Sequence, residues 1–446
     1  MKLNSCFEQK AASRNTRCYQ NRMTGELLEL ESVSDRILHL RATRNAEFSG
    51  RHSNLLRPDF PPAGTVLSST LLSASGETEP DSACLMAGKW QIFFGPNGNL
   101  RFCREDGTLL FEENRFCPRE YESQPVMRPA RSSDGEIQTI STIDGEKQRT
   151  EAKCEFDHNG WAIHWNLRFS PDEALYGLGQ HENDFLNYRG RSEYLYQQNM
   201  KVAMPVLLST RGYGILLNTE GLCSFHDDHY GCGFHLDAGD ELDLYLIYGP
   251  EFDVIISGIR FLTSPAQPLP LWACGFWQSK EHYENATQLL EVAHEYRSRK
   301  LPLDVIVQDW KYWPEEQWGQ KSFDVSRYPD PCGLCDELHR MNLRLIVSIW
   351  PNMNGGGENQ QQLIARGEML GNNSTYDAFN PEARACYYRQ VRTGLLDCGV
   401  DGLWSDCTEP FENDWHGAIR LEPYEQLVSN VNEAKKFLPA DQINSY

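Results

Sequence analysis

No run of about 18 apolar residues occurs anywhere in the 446-residue sequence, which excludes a helical membrane span. Positive charge is scarce: 42 Lys and Arg stand against 63 Asp and Glu, a formal net charge of −21. That balance argues against nucleic acid and anionic membrane surfaces as partners, and it suits neutral or cationic ligands. Met1 to Arg22 is polar and lacks the apolar segment of a secretory signal. The 14 cysteines follow no spaced framework, and Cys274, Cys386 and Cys398 sit inside apolar runs. Reduced thiols and a cytoplasmic location are therefore expected. A lone Cys332-Gly-Leu-Cys335 has no second pair and reads as the start of a helix. No glycine-rich phosphate loop follows any strand-like run.

What the chain does have is two textures. Its length implies two or three domains. Residues 1–25 read as a poorly anchored polar segment. From 26 to 264, short alternating runs such as Trp90 to Phe94, Ala203 to Ser209 and Leu242 to Tyr248 are broken by Gly, Asn and Asp turns. That pattern predicts an antiparallel β-sandwich. One stretch imitates a metal site, with His226, Asp227, Asp228, His229, Cys232 and His235 close together. It is Gly-rich and lies between two strand-like runs, so a hairpin turn with polar side chains explains it rather than a metal site.

From 265 to 446, apolar runs alternate with helical patterns. Strands are expected at Trp272 to Phe276, Leu303 to Asp309, Leu343 to Trp350 and Asp401 to Asp406, with a fifth opening at Asp441. Helices are expected at 285–299, 332–341, 381–396 and 424–437. Near-continuous apolar strands with helical crossovers mean a parallel sheet, open or closed as a barrel.

The strand ends carry the chemistry. One ends at Asp309-Trp310, the next at Trp350-Pro351, the next at Trp404-Ser405-Asp406, with Glu409 and Trp415 beyond. Eight of the 11 tryptophans lie between 272 and 415, so the aromatics cluster where the carboxylates do. Indole faces pack on the C–H faces of sugar rings, while carboxylates accept hydroxyl hydrogen bonds and stabilise oxocarbenium-like charge. The carboxyl ends of barrel strands are also where such enzymes place their site. Taken alone, Asp406 or Thr408 also fits the cap of a following helix.

The sequence resembles glycoside hydrolase family 31, the retaining α-glycosidases. The likeness rests on Tyr176-Gly-Leu-Gly179, Ser209-Thr-Arg-Gly-Tyr-Gly214, Gly275-Phe-Trp-Gln-Ser-Lys280, Asp309-Trp310, Ile349-Trp-Pro-Asn352, Phe379-Asn-Pro-Glu-Ala-Arg384 and Trp404-Ser-Asp-Cys-Thr-Glu-Pro410. The resemblance implies a galactose-mutarotase-like sandwich followed by a (β/α)8 TIM barrel. It implies Asp406 as the nucleophile and Asp309 as the carboxylate holding a sugar hydroxyl. Trp350 becomes a pocket wall and Glu409 a supporting carboxylate, with Trp404, Trp310 and Trp277 as further substrate contacts. A loop near Gly179-Gln-His-Glu182 is the sandwich's implied contribution to the site. Terminal α-glucosides or α-xylosides are the implied substrates, α-galactosides the alternative. No cofactor is called for, and a homo-oligomer is compatible with the reading.

One departure is large. The family's acid/base aspartate lies on a later strand-end loop, and no segment after Asp406 resembles it. Ala440 to Tyr446 reads as the family's next strand, cut off as it begins. Four or five strands cannot close a barrel. The chain is accordingly expected to be a fragment, inactive alone, with a non-catalytic carbohydrate-binding role as the competing reading.

Overall fold

The computed structural model describes residues 6–60, 72–75, 83–129, 137–142, 145–150, 154–409, 411–412 and 419–445. These fall into two compact units, one drawn from residues 1–127, 156–266 and 439–445, the other from 128–155 and 267–438.

The first unit is built from two large β-sheets. An eight-stranded sheet runs from Phe7–Ala12 through Leu242–Tyr248 to Leu175–Gln180, every neighbour antiparallel. A ten-stranded sheet contains Trp90–Phe94, Leu100–Arg104, Cys154–Arg168 and Gly231–Gly239. Alternation drives the packing: in Trp90–Phe94 the first, third and fifth side chains are buried. One core takes Leu38, Leu40, Leu244 and Leu246 from the first sheet and Trp90, Phe102, Trp165 and Phe234 from the second. This is the expected sandwich.

Two expectations for this unit need correction. Residues 6–21 are well anchored: Phe7–Ala12 and Thr16–Asn21 pair with each other, and the second pairs with Leu27–Ser32. Phe7 and Tyr19 are buried beside Phe94. The segment is polar because its other face meets solvent, as in any edge strand with one buried side. Asp441 does not open a strand either. Ile443–Ser445 is a 3-10 turn, and Asn444 Nδ2 donates to the Leu195 and Gly221 carbonyls of this unit. The segment His226 to His235 forms a hairpin of Cys223–Asp228 and Gly231–Gly239.

The second unit holds a four-stranded parallel sheet: β1 (Trp277–Gln278), β2 (Val305–Gln308), β3 (Arg344–Ile349) and β4 (Gly402–Ser405), in that order. Between them run α1 (Ala286–Ser298), α2 (Pro331–Arg340), α3 (Glu358–Ala365) and α4 (Pro381–Gly394), and α5 (Pro423–Ala434) follows. Starts are capped as the sequence dictates. Asn285 Oδ1 accepts the Gln288 N–H at 3.0 Å, and Asp330 Oδ1 accepts that of Gly333 at 2.8 Å ahead of Pro331. The helix at Cys332-Gly-Leu-Cys335 is therefore a capped α2. The expected first strand is displaced: Leu271–Cys274 forms a 3-10 turn between Pro270 and Gly275, and pairing begins only at Trp277. The described residues 137–142 and 145–150 pair as an antiparallel hairpin.

The sheet sorts its side chains by face. Ile306, Leu345, Val347 and Ile349 pack with Leu289, Leu334 and Leu338 of the helices. Val305, Val307 and Ile346 cluster separately, with Trp272 against them. Because successive residues alternate, Asp309, Ser348 and Asp406 lie on this second face, beyond its apolar base.

Candidate active site

Register brings the strand ends level. Gln308 pairs with Val347, and Ser348 pairs with Trp404, so Asp309 follows one side of Ser348 and Asp406 lies two residues past Trp404. The Asp406 N–H donates to the Ile349 carbonyl at 3.0 Å, which extends the β3–β4 ladder by one residue and fixes where its side chain starts. Its Oδ1 then accepts the Cys407 N–H at 2.9 Å, with Cys407 held at a φ of +53°. Asp309 repeats the device: Oδ1 accepts the Trp310 N–H at 2.8 Å, and Lys311 carries a φ of +60°. Left-handed backbone at non-glycine residues is uncommon, and here it follows both strand-end carboxylates. Asp406 does not cap α5, whose cap position is Glu422.

Ser348, with no exposed surface, lies between the two acids. Its hydroxyl is near enough to both Asp309 and Asp406 to lower their proton affinity, and its Oγ accepts the Trp350 indole N–H at 3.2 Å. One hydroxyl proton serves one carboxylate at a time. Both acids are pushed above the ordinary aspartate range, chiefly by burial. For Asp309 the charge of Asp406 adds to the rise, while the Trp310 N–H and Ser348 pull the other way. For Asp406 the Cys407 N–H, the Cys407 thiol and Ser348 oppose the burial.

Glu409 is raised as well, by burial first and by repulsion from Asp406. Its Oε2 is buried without a hydrogen-bond partner among the described residues, an acceptor left open where most buried oxygens are satisfied.

Tryptophans wall the site. Trp310 and Trp350 stack with centroids 6.1 Å apart and planes at 14°. Trp318 meets Trp350 edge-on at 5.2 Å and Trp310 at 5.4 Å, and Trp313 closes the group. The Lys311 ammonium sits 4.1 Å from the Trp310 ring centre, and His282 lies edge-on to the same ring at 6.1 Å. That histidine reaches a strand-end loop, which its position in the sequence did not suggest.

The structure brings together Asp309, Trp310, Trp350, Asp406 and Glu409. Trp404 shares their sheet face and is 46% exposed. Trp277 is the exception. It pairs with Val305, four residues before Asp309, or about 13 Å at the rise of a strand. Its ring packs on Trp272 and its indole N–H donates to the Ala273 carbonyl. The displaced start of β1 explains the misplacement. Trp415 lies outside the described residues. Ser348 was missed from sequence. Its signal was the one hydroxyl in Leu343-Arg-Leu-Ile-Val-Ser-Ile-Trp350, in phase with Trp350 rather than with the core residues. Among the described residues no helix is long and apolar enough to cross a membrane.

The arrangement has counterparts. Residues 266–434 match the TIM-barrel domain of glycosyl hydrolases family 31, and residues 27–225 match that family's N-terminal galactose mutarotase-like domain. An α-xylosidase of Saccharolobus solfataricus is 32% identical over 301 residues, covering 66% of this chain and 41% of that protein. An uncharacterized family 31 glucosidase of Pseudescherichia vulneris is 28% identical over 406 residues, covering 87% and 72%. The crystal structure of a soil-metagenome α-xylosidase complexed with xylose superposes with a TM-score of 0.74 at 25% identity, over 97% of this chain and 61% of that one. The chain thus spans about two fifths of the length of the Saccharolobus relative. With one family model over its sandwich and another over its parallel sheet, the chain belongs to glycoside hydrolase family 31.

Proposed function

We propose that this protein supplies the nucleophile and the sugar-binding wall of a retaining α-glycosidase, acting on terminal α-xylosides or α-glucosides. The observation that carries the reading is the pair Asp309 and Asp406 at the ends of β2 and β4, flanking Ser348 of the β3 between them and facing a stacked Trp310–Trp350 wall. In this reading Asp406 attacks the anomeric carbon and forms a covalent glycosyl-enzyme. Its own N–H neighbours keep part of its charge available against the pull of burial. Asp309 accepts a hydroxyl of the bound ring, Trp350 carries the ring's C–H face, and the open Glu409 Oε2 accepts a further hydroxyl. Similarity to an α-xylosidase supports α-xylosides as the first choice in this reading, and similarity to a family 31 glucosidase supports α-glucosides as the second.

The test is turnover of p-nitrophenyl α-D-xyloside, α-D-glucoside and α-D-galactoside, with proton NMR of the first anomer released. Release of the α-anomer from the xyloside or glucoside supports the reading. Release of the β-anomer overturns it. Sugar binding without turnover of any of the three favours a carbohydrate-binding role.

A further inference from the structure

Lys321 lies in the loop after β2 and is 1% exposed. No carboxylate among the described residues pairs with it; burial alone bears on its titration and pulls it down to about 7. Instead, its ammonium donates to two carbonyls, Gly319 and, at 2.8 Å, Trp350. The third direction faces the Tyr387 ring, whose centre is 4.7 Å away. The groups around it are thus two carbonyls and a phenol ring from α4, with the Asn359 side chain of α3 accepting its backbone N–H at 2.7 Å. A buried cation with no counter-ion is costly, and methionine or leucine would fill the space without that cost.

Both carbonyls belong to the aromatic wall. Gly319 directly follows Trp318, and Trp350 is the residue directly after β3. The Trp318 loop and the β3 end come into close contact. Gly319 has a φ of +70°, and a Cβ there would sit 2.0 Å from the Asn352 carbonyl. The Trp318 carbonyl accepts the Asn354 N–H at 3.1 Å. The Trp350 carbonyl accepts a second donor, the Tyr387 hydroxyl, at 2.9 Å. Its indole is held by Ser348. Lys321 therefore ties the Trp350 carbonyl to that of Gly319, the residue next to Trp318, and the indoles of Trp318 and Trp350 meet at 5.2 Å and 76°.

We propose that Lys321 is a positioning residue: by holding the Gly319 and Trp350 carbonyls together it sets the Trp318–Trp350 angle, and with it the width of the aromatic wall beside Asp406. The consequence for sugar affinity rests on the glycosidase reading above; the consequence for ring geometry does not.

Lys321→Met, Lys321→Arg and Tyr387→Phe test it in the full chain. Each is read by the near-ultraviolet circular dichroism of tryptophan and by fluorescence titration with D-xylose and D-glucose. Lys321→Met is expected to lose much of the tryptophan dichroism and to bind sugar about tenfold more weakly. Lys321→Arg is expected to recover most of both. Tyr387→Phe, which removes only the second donor to the Trp350 carbonyl, moves both in the same direction by less. Unchanged dichroism in a folded Lys321→Met variant overturns the proposal, as does equal loss in Met and Arg variants that both fold. Where Lys321→Met does not fold, unchanged dichroism in Tyr387→Phe overturns it. Where the unsubstituted chain binds neither sugar, the glycosidase reading fails, and the dichroism alone decides the role of Lys321.

Discussion

Asp406 raises the proton affinity of Asp309 across a single shared hydroxyl, that of Ser348. Two partly buried carboxylates at the ends of β2 and β4, on either side of β3, repel, and the serine between them relieves only one at a time. The electrostatics of the site therefore depend on a residue that contributes no charge.

Ser348→Ala leaves both acids without that donor. Their pKa values rise further, so the acidic limb of any activity or labelling profile moves to higher pH. Loss of the hydrogen bond also lowers stability by about 1 kcal/mol where the acids are ionised. A pH–rate profile and urea denaturation check the two effects.

Glu409→Gln removes a charge that burial and Asp406 both disfavour. A carboxyl raised in the folded state contributes stability at low pH that is lost as pH rises through its folded pKa. The glutamine variant is thus more stable than the parent at neutral pH, and the gain vanishes below the ordinary glutamate range. Sugar binding weakens by roughly three- to tenfold, since an amide replaces an acceptor oxygen. Thermal melts from pH 4 to 8, together with sugar titration, check this.

Trp350→Leu removes the stacking partner of Trp310 and the face offered to the ring. Sugar affinity falls by about tenfold, and stability by about 2 kcal/mol for a partly buried indole. Calorimetric titration and denaturant unfolding measure both.

Lys321 titrates near 7 when folded and at 10.5 in its ordinary state. Between those values the unfolded chain holds the extra proton, so stability rises with pH across that window. Lys321→Met removes this contribution to the slope. Denaturant midpoints at pH 6.5, 8 and 9.5 should converge less steeply on the parent's rise; an identical slope contradicts the assignment.

Much of the site was legible because it sits where periodicity ends. The apolar runs stop at Asp309, Trp350 and Asp406, and those stops are strand ends in the fold. Trp277 failed because its run looked continuous from Trp272, whereas the turn at Leu271–Cys274 uses up the first residues. Residues 6–21 were misread because their buried side chains alternate with polar ones, which composition averages away. Ser348 meets Asp309 and Asp406, and Lys321 meets Trp350 and Tyr387, through contacts between segments far apart in the chain, and no local pattern announces such contacts.

The most direct measurement is trapping with a fluorinated α-xylosyl or α-glucosyl fluoride, followed by peptide mapping. Fluoride departs with little help from an acid, so labelling reports the nucleophile by itself. The account predicts a single glycosylated peptide with the sugar on Asp406, and labelling reduced a thousandfold or more, by order of magnitude, in Asp406→Asn. A label on any other residue, or undiminished labelling of Asp406→Asn, would contradict it.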